Sequence, residues 1–158
     1  MASLISLRGL HFSYASGLDV LKGVDFELNA GDRVALTGSN GAGKSTLLRL
    51  INGLETPNSG DIHACGAVRQ QAKDFRDVRV RAGLVFQDPD DQLFCPTVAE
   101  DLAFGPLNLG KSSEEVAEIV GRTLELLRLE HLADRITHKL SGGQKRLVAL
   151  ATVMALEP

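Results

Sequence analysis

Three observations predict an α/β fold for this chain of 158 residues. Residues with period-two patterning open the sequence. A short apolar run then leads into a glycine-rich loop and an apolar-faced helix. The second half carries helix-start signals at intervals, each followed by residues of helical spacing.

Taken in order, Ser3 to Tyr14 (SLISLRGLHFSY) is rich in apolar and aromatic residues and predicts a strand. Gly17-Leu18-Asp19 predicts a turn. Val24, Phe26 and Leu28 alternate with Asp25, Glu27 and Asn29, the pattern of a half-buried strand. Gly31-Asp32 turns the chain into Val34-Ala35-Leu36, an apolar run suited to a strand buried on both faces. Thr46 to Asn52 is an apolar-faced helix, and Gly53 stands where a left-handed cap is wanted. Pro57-Asn58-Ser59-Gly60 is a turn, and Asp61 to Cys65 a short strand. Arg69 to Arg81 is polar and net basic, which predicts a solvated surface helix. Gly83-Leu84-Val85-Phe86 predicts another buried strand, ending at Gln87. Pro89, Pro96, Gly105 and Pro106 exclude one long element between residues 88 and 106. Thr97 and Glu100 have capping-box spacing, which predicts a short helix from Val98 to Phe104. Ser112 and Glu115 repeat the spacing and open an amphipathic helix from Ser113 to Leu129, with Val116, Ile119, Val120, Thr123 and Leu127 on one face. Glu130 to Leu140 is a short helix and connector. Ser141 and Gln144 form a third capping box, before a helix apolar on most sides and therefore expected to be buried, which stops by Pro158.

Composition narrows the function. The length allows a domain with a real core. Hydrophobic residues make up 44% and charged residues 23% of the chain, as in ordinary globular proteins. A net charge of −3 argues against a general nucleic-acid binder. Cys65 and Cys95 without a secretory signal point to a reducing cytoplasm. No run of about 18 apolar residues exists to cross a membrane. His63-x-Cys65 is too thin for a metal site, and the four histidines form no ligand cluster.

Two stretches carry chemistry. Gly38-Ser39-Asn40-Gly41-Ala42-Gly43-Lys44-Ser45 fits G-x-x-x-x-G-K-S/T between the apolar run and the helix, the context that pattern needs. Glycines let consecutive backbone N–H groups converge on phosphate oxygens, and the following helix adds unpaired donors and the positive end of its dipole. Lys44 supplies a mobile charge for the outer phosphates, and the Ser45 hydroxyl can ligand Mg²⁺. A plain glycine turn before a helix is the alternative; the flanking elements favour nucleotide binding. The second stretch is Ser141-Gly142-Gly143-Gln144. Two glycines at a helix start permit close approach of a backbone or an anion, although an ordinary capped helix fits the local pattern equally well.

Glycine-rich GSNGAGKST, Gln87 after an apolar strand, and LSGGQKR, in that order, resemble the ATP-binding-cassette ATPases over the whole chain. The stretch LVFQDPDDQLFCPTVAEDLAFGPL, from Leu84 to Leu107, looks like the cassette subunits of energy-coupling-factor importers of cobalt, nickel or vitamins. Its DPDDQLF and the following AFGPLNLG are closest to the cobalt-type branch. The resemblance implies a RecA-like P-loop NTPase core with an N-terminal antiparallel β subdomain and an inserted α-helical subdomain. One partial cassette domain would cover residues 1–158, with the β subdomain and phosphate-loop core in 1–87, the glutamine loop and helical subdomain in 88–140, and the signature helix in 141–158. Residues Gly38, Ser39, Asn40, Gly41, Ala42, Gly43, Lys44, Ser45 and Thr46 would wrap the phosphates of ATP. Ser45 and Gln87 would attend Mg²⁺. Tyr14 matches an aromatic that stacks on adenine; its alternative is a strand-end residue in the core. Ser141, Gly142, Gly143 and Gln144 would contact ATP held by the opposite subunit of a head-to-tail dimer, whether homo- or heteromeric. Asp88 to Phe94 would help form the groove for a coupling helix. The implied partners are a second cassette ATPase, a transmembrane coupling protein and a substrate-binding membrane component, without nucleic acid, at the cytoplasmic face of the membrane.

The same resemblance marks a departure. The family continues with an apolar strand ending in Asp (Walker B), a catalytic Glu and a switch His, and this sequence contains none of them. Glu157, His131 and His138 do not match those positions. No catalytic residue is therefore assigned, and the expectation is a truncated frame or a fragment of a longer ATPase. Two functions stand: the ATPase subunit of an importer, or an ATP-holding module without turnover. A cassette ATPase of DNA repair or translation is disfavoured, because the segment between Gln87 and Ser141 is too short for coiled-coil arms.

Overall fold

The structure, a computed structural model, describes residues 3–158 and divides into two compact units, one running up to Ala82 and the other Gly83–Pro158. The helix that begins at Gly142 groups with the rest of the chain after Ala82.

The first unit is built on a four-stranded antiparallel sheet of order β2-β1-β3-β4. β1 is Ser3–Ser13, β2 Asp19–Asn29, β3 Ser59–Ala64 and β4 Ala67–Arg69. Strict alternation would carry Ile5 and Leu7 to one face and Leu10 and Phe12 to the other. All four are buried, because the pairing with β2 slips between Leu7 and Leu10. Gly9 sits in that bulge at φ 52°, and its N–H donates to Asp25 Oδ1 at 2.7 Å. A bulge of this kind re-phases a strand so that both halves face one core. β3 and β4 are joined at Cys65-Gly66, both with positive φ, as a tight hairpin between paired Ala64 and Ala67 demands. The helix α1, Lys44–Ile51, buries Thr46, Leu47, Leu50 and Ile51 in the unit's core, and Gly53 follows it in the expected left-handed conformation.

Two expected strands do not form. Val34 to Leu36 and Leu84 to Phe86 pair with no described strand, and Val34 is 52% and Val85 42% exposed. Their apolar runs satisfy the composition of a doubly buried strand. Such a strand also needs neighbours on both edges to take its N–H and C=O groups, and no described segment supplies them.

The basic segment 69–81 is also not a solvated helix. It contains β4's last residue, a 3-10 turn at Ala72–Phe75 and the short helix α2, Arg76–Arg81. Phe75 and Val78 are buried, and Arg69 is 9% exposed. The Arg69 guanidinium forks onto both Asp77 oxygens at 2.8 Å, and donates to the carbonyls of Ala64 at 3.0 Å and Asp74 at 2.5 Å. Charge density suggested solvent, but the bidentate geometry available to Arg brought one of the charges inside.

Hydrogen bonds from the Gln71 and Gln70 amides hold the Asp74 carboxyl below its ordinary range, and the Arg69 side chain does the same for Asp77. A carboxyl depressed in the folded state contributes stability above its unfolded value of about 4 and loses it as pH falls through the folded value. The chain should therefore lose stability below about pH 4. Urea midpoints between pH 3 and 6 should show a shallower dependence in Asp77→Asn than in the wild type, and equal slopes would refute the assignment.

The second unit is helical: α3 Val98–Asn108, α4 Ser113–Leu127 and α5 Gly142–Met154. All three capping boxes form, at Thr97/Glu100, Ser112/Glu115 and Ser141/Gln144. Each satisfies two otherwise unpaired amides, worth about 1 kcal/mol per cap. α3 continues past the expected end at Phe104, through Gly105 and Pro106. Pro106 sits in the last turn, where it removes a single helix bond, and its ring is fully buried, which offsets the loss. A side chain at Gly105 would strike Leu156 at 2.6 Å, so the break-prone glycine serves close packing. α4 buries Val116, Ile119, Thr123 and Leu124 and ends at Arg128, in the left-handed region, shorter than expected. α5 buries only Val148, Ala149 and Ala151 fully; Leu147 and Leu150 are exposed, contrary to the expectation of burial on most sides. The unit's core also takes Leu93, Val98, Leu102, Leu124, Leu129, Leu132 and Leu140, each worth roughly 1.5–3 kcal/mol when fully buried.

Candidate functional site

The glycine loop hangs between the unpaired Val34 to Leu36 segment and α1. A turn closed by the Ala42 N–H on the Ser39 carbonyl, at 3.2 Å, shapes its middle. Gly43 is the N-cap residue of α1, left-handed at φ 86° and ψ 6°, and no side chain caps the helix. Its first turn contains no acidic residue. The first-turn amides are therefore free for an external acceptor, and the positive end of the dipole is uncompensated from within. Lys44 folds back over the loop, its Nζ donating to the carbonyls of Gly38 at 2.9 Å and Ser39 at 2.8 Å. The ammonium is thus parked at the loop's mouth by neutral acceptors that a phosphate oxygen outcompetes, since the phosphate adds a full negative charge to the same hydrogen bond. A full positive charge, free amides and no carboxylate in the helix's first turn are the features that anion binding requires.

Tyr14 lies beside this loop. Its ring is half-buried and meets Phe12 edge-on, with centroids 4.9 Å apart, and its hydroxyl is 3.0 Å from Thr46 Oγ1. Thr46 is buried, so its hydroxyl serves Tyr14 from within, while Ser45 beside it is exposed. Gln87, Ser141, Gly142, Gly143 and Gln144 belong to the second unit. Gln87 is exposed at the end of its extended segment. Ser141 and Gln144 spend their side chains on each other's backbone: Gln144 Oε1 accepts from the Ser141 N–H at 2.9 Å, and Ser141 Oγ from the Gln144 N–H at 3.3 Å. A side chain built on Gly142 or Gly143 would touch nothing within 4 Å. Glycine therefore answers no packing need inside the unit at those two positions, though it weakens a helix there.

Sequence reading missed three side chains that organise the second unit. Asp101, buried, accepts from the amides of Phe94 and Cys95 and from the Thr137 hydroxyl. Its place three residues after Val98 and one before Leu102 was the available signal, since those spacings share one helix face. Gln92 and Lys145 reach between the segment after Phe86 and α5. Neither had a local pattern to reveal it.

The family model described as ABC transporter matches residues 21–158. A Brucella suis protein provisionally named as an ABC transporter ATP-binding protein is 54% identical over all of this chain, which covers 65% of that relative. The energy-coupling factor transporter ATP-binding protein EcfA of Methanocaldococcus jannaschii is 45% identical over 98% of the chain and 56% of its own length. Among solved structures, cbiO1 of Clostridium perfringens, described as part of the ABC transporter complex cbiONQ, superposes with a TM-score of 0.85 at 37% identity. That match covers 100% of this chain and 63% of the other. A dimeric ATP-binding cassette in a post-hydrolysis state, bound to ADP and Pi, gives a TM-score of 0.85 at 27% identity over 98% of this chain and 70% of its own. The chain thus spans 56–70% of the length of these relatives, and over that span it has the α/β P-loop fold of the cassette ATPases. With its phosphate loop, its LSGGQ helix start and a family match running from Leu21 to its last residue, the chain belongs to the ABC transporter family.

Proposed function

We propose that this chain is the nucleotide-binding part of an ABC-type ATPase subunit of an energy-coupling-factor importer, using ATP binding and hydrolysis to drive uptake of a transition-metal ion such as cobalt or nickel, or a vitamin. The observation that carries the reading is the loop at Gly38–Thr46: an uncapped helix start free of acid, with Lys44 held over it by two carbonyls. The exposed Ser45 hydroxyl, at that same helix start, is a hard oxygen donor suited to Mg²⁺; the cation would neutralise charge on the outer phosphates. The exposed edge of Tyr14 offers adenine a surface, its tilt fixed by Thr46.

The two open glycines of the signature favour a second chain as the other wall of the site. With no internal neighbour, Gly142 and Gly143 suit close approach by a nucleotide held on a partner subunit. In such a dimer ATP binding closes the interface and hydrolysis reopens it. Phe94, 65% exposed and packed edge-on against Phe104 at 4.7 Å, supports a membrane partner's helix docking along Asp88 to Phe94. The association with the membrane is then peripheral, since no described helix is long and apolar enough to cross it. The names of the EcfA relative and of the cbiONQ component support this assembly; DPDDQLF and AFGPLNLG support the metal-ion branch.

Calorimetry with Mg-ATP tests the reading. Lys44→Ala should weaken binding at least tenfold, about 1.4 kcal/mol, the lower end for one charge-assisted contact to phosphate. Wild-type affinity in that variant would refute it.

A further inference from the structure

Between Phe86 and Gln92 the chain runs extended and then through a 3-10 turn at Pro89–Asp91 capped by Asp88. Nothing in its local sequence requires it to follow α5. One hydrogen bond within the segment and three to α5 hold it there. The Gln92 side-chain carbonyl accepts from the Phe86 N–H at 3.0 Å. Its amide nitrogen donates to the Ala149 carbonyl at 2.7 Å and to Thr152 Oγ1 at 2.8 Å. One turn nearer the signature, Lys145 Nζ pairs with Asp90 Oδ1 at 2.5 Å. Residues 145, 149 and 152 share one face of α5, so the strap runs along the helix towards Ser141-Gly142-Gly143-Gln144.

We infer that Gln92, seconded by Lys145, is a positioning residue that binds the Phe86–Gln92 segment to the signature helix as one body, so that a load on the exposed 88–94 surface moves the signature. This rests on the importer reading above. Gln is the residue that can do it: one end must accept from an amide and the other must donate to a helix carbonyl, and only a carboxamide of this length offers both. Lys145 is mostly buried while Asp90 is exposed, so the ion pair is a second tie between strap and helix, weaker than the one through Gln92.

The test uses the complete subunit assembled with its membrane partner in vesicles, and reads Mg-ATP hydrolysis with and without that partner. Gln92→Glu keeps the acceptor for Phe86 and turns a second acceptor on Ala149. Gln92→Leu loses both ends. If the strap couples the two, both variants lose partner stimulation of kcat by at least about fivefold, the low end of a coupling between sites, with KM for ATP within about twofold of wild type. If Gln92 only steadies the turn, Gln92→Glu is stimulated like the wild type, and the inference fails. Should both variants unfold early, the Lys145–Asp90 pair decides. Asp90→Lys and Lys145→Asp would each lower stimulation and the double exchange would restore it; single exchanges without effect overturn the inference. Failure of the wild type to bind Mg-ATP sinks the importer reading and this one together. A wild type that binds and is stimulated, beside an equally stimulated Gln92→Glu, sinks this one alone.

Discussion

Asp101→Ala should destabilise the second unit by about 3–4 kcal/mol, read as a lower urea midpoint at unchanged slope. Asp101 is 4% exposed, and its two oxygens are fully committed. Oδ1 accepts from the Phe94 and Cys95 amides at 3.1 and 3.0 Å, and Oδ2 from the buried Thr137 hydroxyl at 3.1 Å. Alanine leaves three donors without acceptors at roughly 1–3 kcal/mol each, only partly recovered by water entering from the Phe94 side. Asp101→Asn separates the parts. It keeps Oδ1 for both amides, and its NH₂ donates to a Thr137 hydroxyl that turns to accept, so the loss should stay under about 1.5 kcal/mol. The charge has a local effect as well. Burial pushes the Cys95 thiol above its ordinary value, and the Asp101 carboxylate beside it adds to the shift. An alanine variant within about 1 kcal/mol of wild type would show that the turn at 94–95 is held by something else.

What the sequence revealed and what it concealed divide along one physical line. The capping boxes at Thr97, Ser112 and Ser141 and the glycine loop at Gly38–Ser45 are local: every group involved lies within a few residues, so spacing alone implies geometry. The two failed strands are the opposite case. Val34–Leu36 and Leu84–Phe86 have strand composition, but a strand is a relation between segments, and composition does not supply a partner. Arg69 shows the same limit from the polar side. Its burial depends on Ala64, Asp74 and Asp77 converging on one guanidinium, and a count of charges between residues 69 and 81 cannot see that. Gln92 was the least legible of all, since its partners lie 57 and 60 residues away. At the candidate site, spacing alone therefore placed the glycine loop and the start of the helix after it. The parking of Lys44 on its own loop and the seat of Tyr14 on Thr46 needed coordinates.

Gly43→Ala should remove both stability and nucleotide binding, while Gly142→Ala should separate them. At Gly43 a Cβ would come within 2.8 Å of Val20 Cγ1 and 2.9 Å of Leu21 Cδ2, closer than real side chains approach. Leu21 is buried and cannot retreat, so overpacking costs about 1–3 kcal/mol, and holding alanine at φ 86° costs roughly 1–2 kcal/mol more. The chain's escape is to rotate φ to negative values, which swings the amide joining Gly43 to Lys44 off the loop's mouth. Either way the site is lost: the urea midpoint falls by the equivalent of about 2–5 kcal/mol, and Mg-ATP affinity drops at least about a hundredfold as a converging donor and the Lys44 position go together. Gly142 is helical, has open space around its missing Cβ and starts α5. Alanine there should leave the fold unchanged or firmer by up to about 1 kcal/mol, because glycine costs a helix backbone entropy. ATP binding by a single subunit should also be untouched. If the signature faces a nucleotide on a partner, the added methyl should nevertheless impair dimer closure and turnover in the assembled transporter. A Gly142→Ala subunit that is firmer, binds ATP normally and turns over at the wild-type rate would place the signature glycines outside the composite site. A Gly43→Ala subunit that binds normally would remove the phosphate loop itself.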